Sequence, residues 1–193
     1  ELPFADCRCL ARKMTDGELM DLLIPVFSSY PMHSSLPRDF EMMEVTLDFS
    51  LSATAFAQLK RHRMATIITQ GYGSREWETP AIMVEDPEVT KEYWDIMERS
   101  GDLYGDIKKE FGTEVAEYAL SNGHKRRVIF KANLRELYNF VRLRSDSHAQ
   151  KEIREISDAI VSEMKEHYPV VTALLCVKDT HPEARAMVLG CER

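Results

Sequence analysis

The residues with the densest capacity for chemistry lie in three short runs. In Gln58-Leu59-Lys60-Arg61-His62-Arg63, the two arginines are separated by one position. If the chain is extended there, both guanidiniums point to one side and His62 to the other. Paired guanidiniums suit a pyrophosphate or the anionic edge of a planar ring. The alternative is plain: cations in a last helical turn favour the carbonyl end of the helix dipole by about 0.3–1 kcal/mol. In the second run, from Asn133, a helix at 100° per residue places Arg135, Asn139 and Arg142 on one stripe and Leu134, Leu137 and Val141 on another. A polar stripe is ordinarily a solvated face, but Asn is a poor mid-helix residue, which points to a hydrogen-bonding task for Asn139. The third run is Arg144-Ser145-Asp146-Ser147-His148-Ala149-Gln150. With Ser147 and Gln150 as caps, His148 falls in a first helical turn beside free N–H groups, where it stays neutral and can meet a polar ligand. A fourth cluster, His124-Lys125-Arg126-Arg127, reads as a solvated basic loop.

These runs must be held by a folded body, and the composition supplies one. The 193 residues are 44% hydrophobic and 30% charged, enough to bury a core and unlike a disordered chain. The net charge of −7 argues against a general nucleic-acid binder. No apolar run approaches a membrane span, and no signal-peptide core is present. The chain begins at Glu1 rather than Met, as expected of a processed piece or a part of a longer protein. Cys7, Cys9, Cys176 and Cys191 lack a zinc-site spacing and read as unpaired thiols, so no metal site is expected.

Thr15 and Glu18 form a capping-box pattern that opens a helix limited by Pro25. Tyr30 to Asp39 reads as a loop. Val45, Leu47, Phe49 and Leu51 alternate with polar residues, the period of a strand. A short helix over 53–61 turns Phe56 and Leu59 inward, and 64–69 is extended up to a turn at Gly71-Tyr72-Gly73-Ser74. Asp86-Pro87 starts a long helix with Val89, Tyr93, Ile96, Met97, Tyr104, Ile107 and Phe111 on one face, ended by Gly112; 113–120 is again helical. Val128 to Phe130 is extended. Asn133 with Glu136 caps the helix to Arg144, and the next buries Ile153, Ile156, Ile160 and Met164 before Tyr168-Pro169 breaks it. The class is α+β.

With these positions in hand, a resemblance becomes specific. The run from Asn133-Leu134-Arg135 through Asn139-Phe140-Val141-Arg142-Leu143-Arg144-Ser145-Asp146-Ser147-His148-Ala149-Gln150 to Arg154 resembles a signature region of the flavin-dependent thymidylate synthases, the ThyX family. Gln58 and Arg61-His62-Arg63-Met64-Ala65-Thr66 resemble the start of that family's hallmark motif, RHRxxSxNExSxR. The likeness covers about residues 35–175, with 1–34 weakly matched. It implies a mostly antiparallel sheet flanked by helices, in a single domain over 1–178; the polar residues 179–193 read as a peripheral tail. It also implies a cytoplasmic homotetramer with FAD between subunits, and NADPH-driven reductive methylation of dUMP to dTMP using methylenetetrahydrofolate.

Carried across, the resemblance assigns Arg61, His62, Arg63, Met64, Asn133, Arg135, Asn139, Leu143 and His148 to FAD, and Gln58 and Arg144 to the nucleotide substrate. No catalytic residue is assigned. The second half of the hallmark motif departs from the pattern. Its Asn and Glu fall on Ile68 and Thr69, its Ser on Gly71 and its Arg on Gly73, while a further phosphate-binding Arg is replaced by Glu117. Binding of dUMP, and of folate with it, is expected to be weakened, with nearby Arg75 as a partial substitute. The resemblance thus leaves an FAD-binding flavoprotein or a catalytically inactive homologue in a mixed oligomer or longer protein; a nucleic-acid module built on the basic clusters fits the charge least.

Overall fold

The computed structural model describes residues 2–31 and 34–190 of the 193. In chain order these carry α1 (Phe4–Ala11), α2 (Asp16–Ser28), β1 (Glu44–Ser52), α3 (Ala53–Leu59), β2 (Thr66–Trp77), α4 (Ala81–Val84), α5 (Pro87–Phe111), α6 (Thr113–Ala116), β3 (His124–Asn133), α7 (Leu134–Arg144), α8 (Lys151–His167) and α9 (His181–Leu189). The fold is α+β, with one three-stranded antiparallel sheet ordered β1-β3-β2. Two compact units divide the chain, Glu44–Ala132 forming one and the described residues of Glu1–Met43 and Asn133–Arg193 the other.

The unit of Glu44–Ala132 is the sheet and its covering helices. In β1, Val45 and Leu51 are buried and Thr46, Asp48 and Ser50 exposed, as the alternation requires. On β3 the same parity buries His124, Val128, Phe130 and Ala132, and the Phe49 and Phe130 rings lie 6.2 Å apart. β2 continues straight through Gly71-Tyr72-Gly73-Ser74, where the sequence predicts a turn. Neither glycine takes a positive φ. The irregularity they suggest is absorbed as bulges: pairing shifts from Thr69↔Val128 to Tyr72↔Arg126, then to Trp77↔His124, leaving extra residues on β2.

The expected basic loop at His124 to Arg127 is also strand. Its charges are matched by residues distant in sequence: Lys125 Nζ lies 2.7 Å from Glu78, and Arg127 donates to both Asp48 carboxylate oxygens at 2.7 and 2.9 Å. The Arg126 guanidinium sits 4.1 Å from the Tyr72 ring centroid and 5.1 Å from that of Phe56.

Asp86 caps α5 through the Glu88 and Val89 amides, and Gly112 ends it at φ 87°. The predicted apolar face is only partly covered. Met97 and Tyr104 are buried, whereas Val89, Ile96 and Phe111 are exposed, because the buried arc turns through Thr90, Met97, Gly101 and Tyr104 instead. β2 passes so close to α5 that a Cβ at Gly101 would collide with the Ser74 carbonyl oxygen.

In the other unit the Thr15–Glu18 capping box forms as predicted. Pro25 does not limit α2, which runs to Ser28 with the proline on its exposed side. At the helix end the Ser28 and Ser29 hydroxyls donate to the Pro25 and Val26 carbonyls at 2.8 and 2.9 Å, satisfying acceptors of the last turn. The expected loop after Tyr30 includes a 3-10 turn over Arg38–Met42; Met32 and His33 lie outside the described residues. α7 buries Leu134, Leu137, Tyr138, Phe140 and Val141, and α8 buries Ile153, Ile160 and Met164. Residues from Asp179, expected as a peripheral tail, include α9, which lies against α2: Arg185 donates to the Ser28 carbonyl at 2.6 Å, and buried His181 meets the Tyr30 ring. No helix among the described residues is long and apolar enough to cross a membrane.

Candidate functional site

The sequence-assigned residues form two groups, one in each unit. In the sheet unit, Ser52 caps α3 through the Ala55 amide, and the helix delivers Gln58 and Leu59 to its last turn. The chain then turns tightly instead of extending: the His62 amide donates to Leu59 O at 3.0 Å, Arg63 to Arg61 O at 3.0 Å, and Ala65 to His62 O at 3.2 Å. The expected separation survives this correction, since His62 is buried while Arg61 and Arg63 are exposed.

Among the described residues, neither guanidinium has a hydrogen-bond or ion-pair partner. Met64 beside them is 74% exposed. Gln58 Oε1 is buried with no hydrogen-bond partner among the described residues. Leaving such an acceptor unmatched costs about 1–3 kcal/mol, which a ligand donor would recover. This turn therefore presents cations, an apolar side chain and an orphaned acceptor together.

The second group lies on α7 and the turn that follows. Asn133 Oδ1 accepts the Glu136 amide proton at 2.9 Å, the predicted cap. The Arg135–Asn139–Arg142 stripe is half-buried, not solvated. Arg135 donates to Leu36 O and to Glu41, each at 2.7 Å, while Arg142 donates to Asn139 Oδ1 at 2.9 Å. The Asn139 amide nitrogen donates in turn to Glu136 at 3.4 Å. Asn139 thus has the hydrogen-bonding task its helix position suggests, and the partners are side chains of its own helix. Leu143 is exposed and Arg144 half-buried.

His148 is not in a helix. α8 begins at Lys151, and its N-cap is Gln150, which makes no side-chain capping bond, so the expected Ser147–Gln150 cap does not form among the described residues. Asp146 organises this turn instead, accepting from the His148 amide at 3.0 Å and facing His148 Nδ1 at 2.7 Å, with Lys178 Nζ at 2.5 Å from its other oxygen. The lysine and the two His148 donors hold the Asp146 carboxyl far below the usual carboxylate range. Sequence reasoning assigned no role to Asp146 or Lys178. The Asp-x-His spacing was a visible signal for the first, and nothing local signals the second.

Gly71, Gly73, Arg75 and Glu117 all lie in the sheet unit. A Cβ on Gly71 would be 3.8 Å from Glu117 Oε1, so these two positions are neighbours. Arg75 is engaged with α5, through the Asp102 carboxylate and the Glu98 carbonyl. Cys7 and Cys9 are exposed, and Cys176 is half-buried with its thiol pKa pushed up by burial. Cys191 lies outside the described residues. Among the described residues no group of three or more His, Cys, Asp or Glu is placed to hold a metal ion.

Comparison with known proteins places the chain in a family. The sequence profile of the family described as thymidylate synthase complementing protein matches residues 11–170. A UPF0159 protein of Thermoplasma acidophilum is 29% identical over 74% of this chain and 29% of its own length. The corresponding protein of Chlamydia muridarum is 28% identical over 91% of this chain and 33% of its own. A flavin-dependent thymidylate synthase of Saccharolobus solfataricus is 31% identical over 82% of this chain and 62% of its own. The chain spans about a third of the length of the UPF0159 relatives it matches. It belongs to the thymidylate synthase complementing protein family.

Proposed function

We propose that this chain is an FAD-binding, thymidylate synthase-like flavoprotein whose grip on dUMP has been dismantled. The observation that carries the reading is the turn after α3, where exposed Arg61 and Arg63 have no hydrogen-bond or ion-pair partner among the described residues and Met64 is exposed beside them. Arg61 and Arg63 would hold the diphosphate, His62 anchors their turn in the core, and Met64 offers an apolar surface to a planar ring. Asn133 fixes the start of α7, Arg135 and Asn139 brace it, and the exposed contributions are Leu143 on α7 and His148 in the turn that follows. When bound, FAD supplies hydride transfer, with NADPH as the reductant. Self-association as a homotetramer and a cytoplasmic location accompany this reading.

The case against dUMP is electrostatic. At the neighbouring positions where the family resemblance calls for Ser and a phosphate-binding Arg, this chain has Gly71 and Glu117. Another arginine position holds Gly73, and Arg75 is committed to Asp102. Each lost hydrogen bond to a charged group removes about 1.5–3 kcal/mol. A total near 4 kcal/mol weakens affinity about a thousandfold, and the Glu117 carboxylate adds repulsion.

Calorimetric titration with dUMP tests this directly. The expected result is no binding in the micromolar range, with partial recovery in a Gly73→Arg/Glu117→Arg variant; tight binding by the unaltered chain would overturn the proposal. The same lost charges favour a second reading, a catalytically inactive homologue serving as a structural or regulatory part of a mixed oligomer or longer protein. It predicts that neither FAD nor dUMP is bound.

A further inference from the structure

We infer that Asp146, braced by Lys178, is a positioning residue that fixes the imidazole of His148; its consequence for flavin rests on the FAD reading above. His148 has 94% of its side chain exposed, yet its ring is held. Asp146 Oδ1 accepts the His148 amide proton at 3.0 Å and faces Nδ1 at 2.7 Å, which leaves Nε2 as the nitrogen presented to solvent. A carboxylate accepts only, so the neutral ring must carry its proton on Nδ1 and offer Nε2 as an acceptor.

The carboxylate is held in turn. Lys178 Nζ lies 2.5 Å from Asp146 Oδ2, and the Lys178 amide donates to Ser145 Oγ at 3.3 Å. That hydroxyl donates to the Val141 carbonyl at 2.7 Å, fastening the turn to α7. Lys178 lies beyond residue 170, where the family match ends, so the brace joins a residue of the signature run to one outside the matched region. A surface imidazole without such a partner samples several rotamers and both tautomers. Asp146 and Lys178 select one orientation before any ligand arrives.

Two measurements test the inference independently. Long-range ¹⁵N–¹H correlation spectra of ligand-free, histidine-labelled protein report the tautomer, with His148 assigned through His148→Gln. The wild type should carry the His148 proton on Nδ1, and Asp146→Ala should move it mainly to Nε2; the same tautomer in both overturns the inference. In FAD titrations, Asp146→Ala should weaken binding about tenfold. Asp146→Asn, which retains an acceptor for Nδ1–H, should recover part of that loss. In a His148→Gln background, Asp146→Ala should have no further effect. An undiminished loss in that background would mean that Asp146 supports the turn and does not act through the ring, which also overturns the inference. If the wild type binds no FAD, the flavin reading fails, and the tautomer comparison alone decides the role of Asp146.

Discussion

At His124, which has no exposed surface, Nδ1 accepts the Ser121 amide proton at 3.0 Å, so the neutral ring carries its hydrogen on Nε2. Nε2 has no hydrogen-bond partner among the described residues, and the ring packs edge-on against Trp77. Burial lowers this histidine's pKa below the ordinary 6.5. The unfolded ring gains a proton below about pH 6.5 while the native ring resists it, so stability is complete above that pH and lost as pH falls below it. We predict a denaturation midpoint that is flat from pH 9 to 7.5 and declines from pH 7 to 5, with a slope of at most about 1.4 kcal/mol per pH unit. His124→Gln retains an acceptor for Ser121 and should flatten the slope while costing about 1–2 kcal/mol overall. A slope unchanged in that variant would place the titrating group elsewhere. The Asp48 carboxyl is depressed by Arg127, so its contribution is present above pH 3.8 and disappears only below that value.

Among the elements, α5 contains a contrasting pair of glycines. A Cβ at Gly101 meets the Ser74 backbone, whereas a Cβ at Gly105 meets nothing within 4 Å. Gly101→Ala should therefore destabilise by about 1–3 kcal/mol, as overpacking does. Gly105→Ala should stabilise by about 0.5–1 kcal/mol through helix propensity. Chemical denaturation distinguishes the signs, and a neutral Gly101→Ala would show that β2 can retreat from α5. The elements readable in the sequence were those with local rules: the Thr15–Glu18 box, the alternation of Val45 to Leu51, and the Asp86 and Asn133 caps. Elements that depend on distant partners were not. Nothing near Arg127 names Asp48, and nothing near Lys125 names Glu78, so a paired strand looked like a charged loop. His148 lies outside a helix for a related reason: Asp146 and Lys178 organise its turn in place of a Ser147–Gln150 cap, and the lysine is 32 residues away from the aspartate. Periodicity alone locates the stripe on α7, whereas the Arg135 partners Leu36 and Glu41 are set by the fold.

For the whole molecule, family membership is stated by a match over residues 11–170, while the length of the UPF0159 relatives leaves the activity of a complete assembly as a proposal. Two places in the sheet unit differ in what they offer an anionic ligand. The turn at Arg61 to Met64 presents two exposed guanidiniums, whereas Gly71 and Glu117 supply no positive charge at their own positions. Light scattering of the purified protein should give a mass near four times 22.3 kDa if the homotetramer accompanies FAD binding. The most direct test of the central claim is the flavin content of the purified protein, followed by titration of stripped protein with FAD. The account predicts a flavin absorbance spectrum or saturable uptake of FAD, reduced by Arg61→Ala and by His148→Ala. A colourless protein that takes up no added FAD would contradict it.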